Sequence, residues 1–128
     1  MVTFGFLVNK RDNKIEFSPI YDCGSCLNPM LEDKDIDSFD ETYIKNLAVN
    51  CYSCIKIGNK KINYLSFITS MEYSDCNDAI KRMFDKIDMD KIFKFIDSIS
   101  CMSSIRRNFY KSVINYRYEI LRNVYNKL

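Results

Sequence analysis

Residues 103–128 read SSIRRNFYKSVINYRYEILRNVYNKL, and their periodicity decides the fold class. Ile105, Phe109, Val113, Tyr116, Ile120 and Val124 recur at the spacing of one helical face. Tyr110, Ile114, Leu121, Tyr125 and Leu128 form a second stripe beside the first. Two adjacent stripes make an apolar face too wide for a single neighbour, so this helix is expected to pack against several elements. The helix is expected to run from Ser103. The same segment carries Arg106, Arg107, Lys111, Arg117, Arg122 and Lys127 against a single acid, Glu119. That charge allows two readings: a nucleic-acid-binding helix, or a basic face that opposes acidic residues elsewhere in the chain. The breadth of the apolar face favours the second.

Helical spacing continues upstream. Ile80, Met83, Phe84 and Ile87 form one group, and Met89, Ile92, Phe93, Ile96 and Ile99 another, with Ser74 and Asp88 as candidate N-caps. Residues 54–65 read as a hairpin: Ile55 and Ile57 lead into Gly58-Asn59-Lys60-Lys61, and Ile62, Tyr64 and Leu65 lead out. Residues 1–20 read as another. Phe4, Phe6 and Val8 alternate with Gly5 and Leu7, a turn falls in 9–14, and Ile15, Phe17 and Ile20 resume the pattern. Between the hairpins, Asp22-Cys23-Gly24-Ser25 and Asn28-Pro29 are turn chemistry. Glu32, Asp33, Asp35, Asp37, Asp40 and Glu41 then form an acidic stretch, read as a solvated loop with a helix starting at Ser38 or Asp40. It lacks the central glycine and ligand spacing of an EF-hand. The predicted fold is mainly α with small antiparallel β-hairpins, an α+β chain forming one domain over 1–128. Residues 1–27 hold the first hairpin, 28–73 a loop, helix and second hairpin, and 74–128 the helices.

Composition bounds the function. The chain has 128 residues, 47% apolar and 28% charged, which suits a folded domain and excludes disorder over most of its length. No window approaches the ~18 apolar residues of a membrane-spanning helix. Residues 1–9 lack the pattern of a signal peptide, so the expected location is cytoplasmic, with no membrane partner. A net charge of +2 argues against strong non-specific nucleic-acid binding. There is no histidine, so no imidazole base or ligand exists.

Two motifs carry chemistry. Cys23-x-x-Cys26 and Cys51-x-x-Cys54, separated by 24 residues, have the spacing of a structural zinc site. Leu27 and Ile55 follow the second cysteine of each pair, where zinc knuckles place glycine. The other motif is Tyr21-Asp22-Cys23-Gly24. A carboxylate at a strand end, followed by glycine, can hold Mg²⁺ against nucleotide phosphates.

The run Phe4-Gly5-Phe6-Leu7-Val8-Asn9, followed by Ile15-Glu16-Phe17-Ser18-Pro19-Ile20-Tyr21-Asp22-Cys23-Gly24-Ser25-Cys26-Leu27, resembles HipA-like serine/threonine kinases. Residues 55–64 also look like a strand pair that follows this motif in the family. The resemblance implies the C-lobe of such a kinase. It places Asp22 on the magnesium-binding Asp of the Asp-Phe-Gly-like motif and Gly24 on its glycine. Thr3 falls where the family has the Asn that binds a second magnesium, and the catalytic Asp would precede Met1. The phosphate-covering loop and the phosphate-pairing lysine match nothing in these residues. The resemblance therefore implies a truncated or split kinase fragment, inactive alone. Mg-ATP would be a cofactor of the complete kinase, and a separate N-terminal half or a second copy would be the partner. The alternative is a small zinc-stabilised interaction module built on Cys23, Cys26, Cys51 and Cys54.

Overall fold

The computed structural model describes residues 6–17, 26–50 and 52–128, and of 52–55 the backbone alone. The chain divides into two compact units, Met1–Leu31 and Glu32–Leu128.

In the first unit, β1 (Phe6–Val8) and β2 (Ile15–Phe17) pair antiparallel. Phe6 stands opposite Phe17 and Val8 opposite Ile15, so these four side chains share one face. The Phe6 and Phe17 rings lie 4.9 Å apart. Polar side chains tie the connecting turn. Asn9 Oδ1 accepts from the Arg11 amide (3.0 Å), and Asp12 Oδ1 from the Lys14 amide (3.1 Å). Asn13 takes the left-handed conformation (φ 55°), which asparagine tolerates better than most residues.

The second unit contains α1 (Asp33–Asp37), α2 (Glu41–Val49), β3 (Tyr52–Ile57), β4 (Lys60–Asn63), α3 (Tyr64–Ser70), α4 (Ser74–Phe84), α5 (Met89–Ser98) and α6 (Ser104–Tyr125). Strands β3 and β4 pair antiparallel around a turn with Gly58 at φ 59°, a conformation open to glycine at little cost. α6 is about 33 Å long at 1.5 Å per residue. It packs against α1, α2, α3, α4 and α5, as the double stripe requires. Its Phe109, Val113 and Val124, all on the first stripe, are buried with Ile36, Ala48, Ile80 and Ile96.

Local chemistry sets the boundaries. Ser103 Oγ accepts from the Arg106 amide (3.1 Å), Asp88 Oδ1 from Lys91 (2.9 Å) and Asp40 Oδ1 from Tyr43 (2.7 Å), so these three predicted helix starts hold. Three expectations are corrected. The second hairpin ends at Asn63 rather than Leu65, because Asn63 Oδ1 accepts the Leu65 and Ser66 amides (2.9 and 3.0 Å) and starts α3. The acidic stretch contains a helix, α1, where Glu32 N–H donates to Asp35 Oδ2 (3.1 Å) and Ile36 is buried. Ser74 is the first residue of α4 rather than its cap. Tyr73 takes that place with no side-chain bond, and Asn77 Nδ2 donates back to the Met71 carbonyl (2.9 Å).

Candidate functional site

α6 organises the polar groups of the second unit. Asp33 Oδ1 receives both Arg106 Nε (3.0 Å) and the neighbouring guanidinium nitrogen (2.9 Å), joining α1 to the first turn of α6. A hydrogen bond from Ser103, then the Arg106 contacts, hold the Asp33 carboxyl below its ordinary value. Bonding to Tyr110, then to Asp33, holds Arg106 more firmly protonated. Arg107 donates to the Ile99 carbonyl (2.7 Å), Lys111 pairs with Asp97, Arg117 Nε donates to the Ala48 carbonyl (3.1 Å) and Arg122 pairs with Glu119. The basic helix is thus bonded within its own unit, and at Arg106 it faces the acidic stretch. Tyr116 donates to Glu41 (2.7 Å) and Tyr125 to Asp85 (2.9 Å). In each case the carboxylate keeps the phenol above its ordinary value.

At the start of α2 lies a hollow of about 310 Å³, lined by Ser38, Phe39, Asp40, Thr42, Tyr43 and Asn46. The Phe39 and Tyr43 rings meet at 4.4 Å, and Phe39 is backed by Phe109 at 6.4 Å. The sequence reading singled out Asp40 only as a helix start. The missed signal was Phe39 and Tyr43 at i, i+4 across that N-cap, which puts two rings on one side of the first turn.

The sequence-derived magnesium residues, Asp22 and Gly24, lie outside the described residues, as do Cys23 and Cys51. Cys54 lies in β3 with its side chain outside the description, and Cys26 is half-buried. Among the described residues no group of three or more Cys, Asp or Glu is placed to hold a metal. Among them, too, no helix is long and apolar enough to cross a membrane.

No family model matches the sequence. The fold is nevertheless that of a kinase piece: the chain is homologous to part of a serine/threonine kinase, as the run from Phe4 to Leu27 led one to expect. One curated relative is serine/threonine-protein kinase CtkA of Helicobacter pylori. It is 36% identical over 121 aligned residues, which cover 89% of this chain and 36% of the relative. The crystal structure of the Helicobacter pylori proinflammatory kinase CtkA superimposes with a TM-score of 0.85 at 32% identity, over 97% of this chain and 44% of that one. The chain therefore spans well under half the length of the kinase it matches.

Proposed function

We propose that these residues form the C-lobe-like part of a serine/threonine kinase, catalytically inert alone and needing an N-terminal kinase half to complete the site. The observation that carries this reading is the match to CtkA over nearly all of this chain and only 44% of that structure. Phosphoryl transfer is mostly positioning and charge stabilisation, so a partial set of groups does not assemble it. By the family resemblance Asp22 is the magnesium carboxylate, Gly24 shapes its loop, and Thr3 stands where a second metal ligand is expected. A threonine hydroxyl adds no negative charge. One carboxylate and one hydroxyl do not fit a two-magnesium site, and no step of transfer is assigned to them.

The β1–β2 hairpin supports the need for a partner. Phe6, Val8, Ile15 and Phe17 stay exposed at 58–73% on one face. Apolar patches of that kind promote association, with an N-terminal kinase half or with a second copy. A two-stranded ribbon is also marginal without something to pack on.

The test is isothermal titration of the chain with Mg-ATP. No binding is expected from the chain alone, and kinase activity is expected only when a polypeptide carrying the phosphate-covering loop, the lysine and the catalytic Asp is co-expressed with it. Tight Mg-ATP binding by the chain alone, abolished in Asp22→Ala, would overturn the inert reading.

A further inference from the structure

We propose that the hollow at the start of α2 binds the cationic side chain of an arginine or lysine residue on a partner polypeptide. The inference concerns binding by these residues alone and does not depend on the kinase reading.

The hollow's volume, about 310 Å³, lies at the small end of ligand pockets and suits one long side chain. One wall is the Tyr43 ring, half exposed and held by its contact with Phe39, so an aromatic face is presented at fixed orientation. Such a face attracts a cation. The Asp40 carboxylate stands beside it. Its Oδ1 accepts the Tyr43 amide, which fixes the side chain, while Oδ2 has no partner among the described residues. Thr42 and Asn46 add a hydroxyl and an amide, both able to accept from a guanidinium or ammonium.

The charge around the hollow is complementary to a cation. Asp37 and Asp40 are exposed and unpaired with any base among the described residues, and Glu41 follows directly. The nearby bases are committed elsewhere: Arg106 to Asp33 and Lys34 to Glu32. Lys45 lies across α2 from the Tyr43 ring, but one turn from Glu41 and Thr42, so it offsets part of the acidic field on that side only. The start of α2 would by itself favour an anion, but Asp40 already caps it and, with Asp37 and Glu41, places carboxylates there that oppose a second one. A purely apolar ligand would leave the carboxylate and amide at the rim without partners. A polypeptide is the better source than a free amino acid, whose own carboxylate would face the same acidic rim.

The experiment titrates the full isotope-labelled chain with N-acetyl-arginine methylamide and follows backbone amide shifts. Saturable, millimolar shifts at Thr42, Tyr43 and Asn46 are expected, and none from the blocked norleucine analogue. Asp40→Asn keeps the helix cap but loses the charge, and is expected to weaken binding about threefold, as for an exposed ion pair. Tyr43→Leu keeps an apolar contact with Phe39 but loses the ring face, for roughly another threefold. Both variants are checked for the wild-type pattern elsewhere in the spectrum. Shifts that do not saturate, equal shifts from norleucine, an unaffected Asp40→Asn, or free arginine binding tighter than the blocked form would each overturn the proposal.

Discussion

Val113 sits at mid-length on α6 with none of its surface exposed, on the stripe that also buries Phe109 and Val124. Replacing it by alanine removes two methyl groups from a helix packed on five others. At ~0.8 kcal/mol per buried carbon, the lost transfer energy is about 1.6 kcal/mol. The cavity left behind adds roughly 1 kcal/mol, because a helix held by so many neighbours cannot collapse onto the void. The total, about 2–3 kcal/mol, is a large share of the ~5–15 kcal/mol that stabilises a typical domain. For a unit of about a hundred residues, this corresponds to a fall of roughly 10–20 °C in melting temperature. The assay is thermal unfolding followed by far-ultraviolet circular dichroism; every helix among the described residues lies in the second unit. The control is Phe95→Ala on α5, a larger truncation at a side chain 68% exposed, expected to shift stability by less than about 0.5 kcal/mol. If the two variants melt together, or if Phe95→Ala costs more, α6 is not the axis of the core and the reasoning fails.

Two other perturbations test the polar frame. The Asp33 carboxyl titrates below the ordinary 3.8 in the folded chain, so the stability it contributes is present above that value and is lost as pH falls through the folded one. Asp33→Asn is expected to flatten the acid limb of a melting-temperature profile below about pH 4 and to leave the neutral plateau's shape unchanged. Asn63 both starts α3 and donates through Nδ2 to the Val49 carbonyl (3.0 Å) at the end of α2. Asn63→Ala is expected to lower stability by about 1–2 kcal/mol in urea unfolding, and Asn63→Asp to recover the cap but not the bond to Val49.

What the sequence disclosed of the fold follows from which interactions are local. The double stripe of 103–128 is a long periodic signal, and caps at Asp40, Asp88 and Ser103 act within three residues, so those elements were legible. α1 and α3 were not. α1 has only five residues, too few for a period to show, and beside the local capping box of Glu32 and Asp35 it is held from a distance, by the Arg106 ion pair and the burial of Ile36. At the second hairpin, Ile62 and Tyr64 continued the alternation of a strand. One side-chain oxygen on Asn63 redirected the chain, a choice periodicity cannot see.

The candidate sites divide along the same line. Asp22 and Gly24 were singled out because a run of neighbouring residues resembles a family motif; the homology to CtkA bears on that resemblance and not on the roles of these two residues, which lie outside the described residues. The hollow at α2 was not legible, although every residue lining it falls within nine consecutive positions. Its aromatic wall depends on Phe39 being backed by Phe109, seventy positions later, and its field depends on which acids are paired with bases on α6. In sequence, Asp33 and Asp40 are members of one acidic run. Folding gives them opposite fates: Asp33 is paired with Arg106, while Asp40 lines the hollow and has no base paired with it among the described residues. A run of like charges therefore says little about a site until the distant cations that consume part of it are placed.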